Sequence, residues 1–281
     1  FPPRRGVDIM ARSVALCFDQ NCRTPDPFPE ISCFAYNGVH CLFSYKGLSH
    51  MQMKTMHAEE FRTLMEHALV LAEDRHGIKV LQTPDKGIVK LYRLKRRFSS
   101  ALLYPYALRF LRNTELLKEL GIATVTVESV YNIPDIERQA VIYSRLPGSA
   151  LREVLLETAQ QERRAALLER FAAFVAQLHE KGILFRSIHF GNVLVQPSGE
   201  FALIDVADLR HHRFGKLWLW QRARNFKHMC RYPQDMEMLA EFGLDRFVEI
   251  YARHANLNIL TVWILKKTMD RLYKKVPPSS R

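Results

Sequence analysis

The stretch GILFRSIHFGNVLVQPSGEFALIDVAD, Gly182 to Asp208, decides the fold. Gly182 marks the end of a helix, and a short loop follows through Phe185-Arg186-Ser187-Ile188-His189-Phe190-Gly191-Asn192. Two apolar runs, at 193–195 and 201–204, flank Pro197-Ser198-Gly199. That triplet reads as a turn, because proline fixes φ and glycine accepts the left-handed region. The runs therefore form one hairpin, with Asn192 and Asp205 at its open ends, both facing the loop. An amide oxygen and a carboxylate that converge in this way suit a hard, oxygen-seeking cation such as Mg2+.

Outward from this stretch, residues 161–180 place Leu167, Leu168, Phe171, Phe174, Val175 and Leu178 on one apolar helix face, which delivers the chain to the loop. Residues 58–68 carry Phe61, Leu64, Met65 and Ala68 at the i, i+3, i+4, i+7 spacing of another helix. Residues 68–72 and 78–81 read as a hairpin around Arg75-His76-Gly77, and 87–92 as a strand bearing Lys90, 102 residues before Asn192. Residues 99–120 are mostly helical, with Pro105 near the start and Gly121 as the C-terminal cap. Strands at 124–130 and 139–143 lead to Ser144-Arg145-Leu146-Pro147-Gly148, and a last helix spans 259–275.

The chain of 281 residues, 48% apolar and 25% charged, can bury a sizeable core. Its formal charge of +12 implies an anionic partner. The first 50 residues hold five Lys/Arg and four Asp/Glu, so 36 minus 25 leaves +11 on the remainder, and the basicity belongs to the folded part. Residues 1–50 show no sustained period and contain Cys17, Cys22, Cys33 and Cys41 without a C-x-x-C knuckle. They read as a poorly structured extension with reduced thiols, and the functional chain is expected to begin near Met51, Met53 and Met56. No apolar run approaches a spanning helix, and the N-terminus lacks a signal pattern, so a cytoplasmic location is expected. Residues 209–234 contain seven Lys/Arg, three His and no acid, interleaved with Phe214, Trp218, Leu219, Trp220 and Phe226. Cations with aromatics suit a membrane interface or an anionic lipid headgroup, and also a nucleic-acid strand. The plainer alternative is a helix pair that buries its aromatics and solvates its charges.

The loop and the following Asp resemble the protein-kinase-like fold, which pairs H-R-D-x-x-x-x-N with the Asp of D-F-G. The H-x-D-x-H-x-G-N loop of aminoglycoside and lipopolysaccharide kinases is closer still. Residues from about 58 to 275 look like the bacterial lipopolysaccharide-core kinase family, with the toluene tolerance protein branch nearest through its F-R-S-x-H-x-G-N loop and I-D-x-A-D continuation. The resemblance implies an α+β, two-lobed fold: a β-rich N-lobe at 51–146 and a mainly helical C-lobe at 147–281. It implies ATP and Mg2+, with Lys90 on the phosphates, Asn192 and Asp205 on the metal, and Ser144 and Leu146 in a hinge that holds the adenine. The acceptor would be a sugar hydroxyl of the lipopolysaccharide core, or another anionic glycolipid, met at the cytoplasmic face of the inner membrane.

Three positions depart from the pattern. Ser187 stands where the catalytic Asp belongs, five residues before Asn192. The nucleotide-covering hairpin has one glycine rather than three. The helix that should pair a Glu with the strand lysine has Phe110 near that position, with Glu115 the nearest carboxylate inside it. His189 or Asp208 could replace the missing base, or serve only to order the loop, and Arg186 is expected to order neighbouring loops. The departures keep open a pseudokinase that binds nucleotide or a partner and scaffolds envelope assembly. A basic RNA-binding module has only charge and aromatics behind it, so nucleic acid is the disfavoured partner.

Overall fold

The computed structural model describes residues 53–94, 105–213 and 215–275, with the backbone of two short strands before them. The chain divides into two compact units, Phe1–Ser49 and His50–Arg281. In the first, β1 (Ser32–Phe34) and β2 (Leu42–Ser44) pair antiparallel. The expectations for the rest of residues 1–50 and for their cysteines lie outside the described residues.

The second unit opens with β3 (Lys54–Thr55) and α1 (Ala58–Met65), which stops before His67 in the left-handed region. The hairpin β4 (Leu69–Asp74) and β5 (Gly77–Gln82) follows, then β6 (Gly87–Arg93) and α2 (Tyr106–Glu119). The sequence suggested one strand over 124–130. It is divided into β7 (Ala123–Thr124) and β8 (Thr126–Ile133), because the Thr124 hydroxyl donates to the Leu203 carbonyl at 2.7 Å and draws β7 out of the sheet. With β9 (Arg138–Ser144) the small lobe forms a six-stranded sheet of order β3-β8-β9-β6-β5-β4. Alternation along β6 sends Val89 and Leu91 into a core with Met56, Leu81, Ile133 and Ala140 under α1. It leaves Lys90 and Tyr92 on the opposite face, toward α2.

The large lobe contains β10 (Ser149–Ala150), α3 (Leu151–Glu157), α4 (Gln161–Glu180), β11 (Ile183–Phe185), β12 (Val193–Val195), β13 (Phe201–Leu203) and β14 (Leu209–His211). Four helices complete it: α5 (Leu219–Met229), α6 (Pro233–Phe242), α7 (Leu244–His254) and α8 (Ile259–Tyr273). The apolar face of α4 is buried, with Phe171 central: its ring meets Phe190 at 5.2 Å, Phe201 at 5.9 Å and Phe247 at 6.1 Å between centroids. A buried side chain of this size contributes about 1.5–3 kcal/mol, so this cluster fixes the loop through Phe190. The β-rich small lobe and helical large lobe are the two-lobed, kinase-like arrangement expected from the sequence. Among the described residues no helix is long and apolar enough to cross a membrane.

Candidate active site

The loop between β11 and β12 is held from below. Gly182 ends α4 at φ 74°, and a Cβ there would lie 2.5 Å from the His212 carbonyl oxygen, so only glycine fits. The loop then winds on itself, with the His189 amide donating to the Ser187 carbonyl (2.8 Å) and the Asn192 amide to the His189 carbonyl (2.9 Å). Asp235 at the start of α6 is fully buried. It takes both prongs of the Arg152 guanidinium, at 2.6 and 3.0 Å, and accepts the Phe190 amide at 3.0 Å. Asn225 on α5 donates to the Phe185 carbonyl at 2.6 Å.

The hairpin puts Asn192 and Asp205 side by side. Val193 pairs with Leu203, and the Ile204 amide donates to the Asn192 carbonyl at 3.1 Å. Asp205 sits at φ 56°, a left-handed conformation Asp tolerates better than most side chains, and opens a 3-10 turn through Asp208. Lys90 reaches across from the small lobe to form an ion pair with Asp205. Its ammonium also lies 5.7 Å from the Tyr92 ring and 6.0 Å from the Phe110 ring. Phe110 thus fills the place where a helix Glu was sought, and the lysine's carboxylate partner is Asp205. The helix does contribute Asn113, whose amide donates to the Val206 (2.7 Å) and Leu209 (3.2 Å) carbonyls.

Ser187 donates its hydroxyl to Asp208 Oδ2 at 2.7 Å, while Oδ1 of Asp208 is buried and has no hydrogen-bond partner. Burial raises the Asp208 pKa above its ordinary value. The Ser187 bond opposes that shift, the Asp205 charge adds to it, and Arg186 partly offsets it. His189 packs its ring on Tyr232, 4.7 Å between centroids, and burial lowers its pKa. A cavity of about 420 Å³ lies between the β4–β5 tip, the end of β6 and this loop; Ser187, Asp205 and Asp208 line it, and His189 does not. A second cavity, of about 510 Å³, opens at the hinge, where Ser144 and Arg145 form part of its wall and Leu146 does not.

A family model described as "Lipopolysaccharide kinase (Kdo/WaaP) family" matches residues 59–251, more than half of the chain. The chain belongs to the lipopolysaccharide kinase (Kdo/WaaP) family. No curated protein matches it. The match is made at family level and does not distinguish the toluene tolerance branch.

Membership in the lipopolysaccharide kinase family implies ATP use and usually a divalent metal, and the residues present fit both. Asn192 spends its amide nitrogen on the Ser187 carbonyl at 3.0 Å, which leaves Oδ1 as the acceptor end of that amide. Asp205 is half-exposed and already neutralises a cation. Among the described residues no cluster of three His, Cys, Asp or Glu side chains could hold a metal unaided. The Asn192 and Asp205 oxygens suit Mg2+, which binds through one or two protein groups and completes its shell with phosphates and water. The sequence reading missed Arg152, Asp235, Asn113 and Asn225. Asn113 carried a signal, since asparagine is disfavoured inside helices and is kept there for a tertiary bond. Asp235 carried only a faint one, as the first acid after 26 residues without any.

Proposed function

We propose that the protein transfers the γ-phosphoryl group of ATP to a sugar hydroxyl of the lipopolysaccharide core, with Asp208 as the general base. The observation that carries this reading is the Ser187–Asp208 hydrogen bond in the wall of the Asp205 cavity. A carboxylate there replaces the one missing from position 187. Lys90 and the 144–146 hinge hold the nucleotide, and Asn192 and Asp205 hold Mg2+. The metal supplies charge stabilisation on the phosphates when bound. Ser187 orients Asp208 by donating to Oδ2, and the Asp208 carboxylate, which lines the cavity, takes the proton of the accepting hydroxyl. Burial favours this, because a carboxylate of raised pKa holds a proton more readily. His189, turned onto Tyr232, orders the loop, and Arg186 tempers the charge on Asp208.

Ser187 also motivates a second reading, a pseudokinase that binds nucleotide without turnover. ATP consumption with purified lipopolysaccharide core separates the two: core-dependent release of ADP by wild type, lost in Asp205→Ala, supports the kinase, and its absence supports the scaffold. Nucleotide binding has its own test. Mg·ATP is expected to raise the melting temperature of wild type, by the equivalent of about 2.7 kcal/mol at a hundredfold excess over Kd, and not that of Asp205→Ala. No shift in wild type at millimolar ATP would refute the nucleotide site.

The same proposal places the enzyme on the cytoplasmic face of the inner membrane, through residues 209–234. Trp218 and Trp220 are 65% and 62% exposed at the start of α5, and Arg210, Arg213, Lys216, Arg224, Lys227 and Arg231 are exposed. Phe226 and Arg222 are buried instead, Arg222 in an ion pair with Glu180 at 2.6 Å, so six cations rather than seven are available. Phe214 lies outside the described residues. At about 1 kcal/mol per cation near an anionic surface, attachment is firm but reversible, and tryptophan rings favour headgroup depth. Co-sedimentation with phosphatidylglycerol vesicles, but not phosphatidylcholine vesicles, is the expected result, with binding weakened in Trp218→Ala/Trp220→Ala. Displacement by competing RNA, or undiminished binding by the tryptophan variant, would overturn it.

A further inference from the structure

The cavity beneath the β4–β5 tip has a wall that the phosphate and metal residues do not explain. Arg93, the last residue of β6, and Arg138, the first of β9, are direct partners across the antiparallel pair, and both line the cavity. Like charges directly opposite one another destabilise a sheet unless something neutralises them. Among the described residues neither arginine has an ion-pair partner, since Arg138 donates only to carbonyls, the His76 oxygen at 2.9 Å among them. The carboxylates in the same wall are already engaged: Asp74 with Lys79 at 3.2 Å, Asp205 with Lys90, and Asp208 with Ser187. The Tyr92 hydroxyl, also in this wall, is buried without a hydrogen-bond partner.

The arginine pair lines the same cavity as Asp205 but projects away from Lys90. Side chains alternate along β6, so Arg93 projects from the face opposite Lys90 and Tyr92, at the end of the strand where the hairpin tip closes over the cavity. Two guanidinium groups at one mouth suit a carboxylate or phosphate, which each can grip through two parallel hydrogen bonds.

We propose that Arg93 and Arg138 form an anion subsite for the acceptor, binding a carboxylate or phosphate carried on the same glycan as the accepting hydroxyl. This rests on the kinase reading above and narrows its substrate to glycans already bearing such a group beside the reacting position. Acceptor recognition thereby falls to the small lobe as well as the loop.

Calorimetric titration tests this without turnover. Deacylated lipopolysaccharide core oligosaccharide is titrated into wild type, Arg93→Gln, Arg93→Lys and Arg138→Gln, each holding a non-hydrolysable Mg·ATP analogue. Untreated, dephosphorylated and carboxyl-reduced core are compared, and melting temperatures check folding. Each Gln variant is expected to bind untreated core about ten- to hundredfold more weakly, the range of one charged hydrogen bond. Arg93→Lys recovers part of this, and analogue affinity stays unchanged. Removing the recognised anion should weaken wild type to the level of the variants, and the treatment that does so identifies it. Equal core affinity in wild type and both Gln variants overturns the subsite and leaves the kinase reading standing, as does a loss confined to the analogue, which would assign the arginines to the nucleotide. If wild type binds no form of the core, the lipopolysaccharide reading fails, and titration with inorganic phosphate decides the subsite: binding lost in Arg93→Gln upholds it, and binding unchanged or absent in wild type overturns it.

Discussion

Asp208→Asn is expected to lower kcat for phosphoryl transfer to the lipopolysaccharide core by about 10²–10⁴-fold, the usual contribution of a general base, with little change in the KM for ATP. The amide keeps the shape and can still accept from Ser187, so the loss isolates the proton-accepting role. The pH profile gives a second reading. A base acts in its ionised form, and the Asp208 pKa is raised by burial from its ordinary 3.8. Wild-type kcat should therefore rise with pH through a value above 3.8 and then level off, and the Asn variant should lose that limb. Ser187→Asp sets a second carboxylate against the first. Two adjacent carboxylates resist double ionisation, so the limb moves to higher pH. Exchanging the pair, Ser187→Asp with Asp208→Ser, should restore a single base and recover much of the rate. Asp208→Asn with wild-type kcat would refute the assignment.

The second large effect concerns stability. Asp235→Ala removes the carboxylate that, among the described residues, pairs with Arg152, and it also leaves the Phe190 amide without its acceptor. Breaking a buried pair by deleting one partner costs about 3–5 kcal/mol. For a domain of this size that corresponds to a fall in melting temperature of about 6–20 °C. Asp235→Asn should lose less, because an amide oxygen can still accept from Phe190. Unchanged melting in the Ala variant, followed by circular dichroism, would show that the loop holds its shape through Phe171 and Phe190 alone.

What could be read from sequence followed the range of the interactions involved. The hairpin carrying Asn192 and Asp205 was legible because proline, serine and glycine at 197–199 specify its turn locally, and the long apolar face of α4 specified that helix. The departure at Phe110 was legible too, but its outcome was not. Only the folded structure shows the lysine turning to Asp205 and lying near two aromatic rings. Charge counting over 209–234 described an exposed face and failed at Arg222, which Glu180 and the Tyr251 hydroxyl satisfy in the interior. Those partners lie 42 and 29 residues away, so no local pattern announces them. The division between β7 and β8 was missed for the same reason, since Thr124 answers to Leu203 in the other lobe.

The Asn113 and Thr124 hydrogen bonds bear on how the molecule moves. They tie α2 and β7 to the large lobe by directed bonds to the Val206, Leu209 and Leu203 carbonyls. Against the sheet of its own lobe, α2 offers rings, with Phe110 tilted on Tyr143 at 5.4 Å and Tyr106 stacked on Tyr92 at 6.1 Å, and one exposed hydrogen bond at its end, from Lys118 to the Thr126 hydroxyl at 3.0 Å. Ring contacts tolerate sliding far better than hydrogen bonds tolerate stretching. The mechanical seam therefore does not follow the covalent boundary between the lobes. Any displacement of the sheet against the large lobe is expected to leave α2 with the large lobe and to be resisted by the Lys90–Asp205 ion pair.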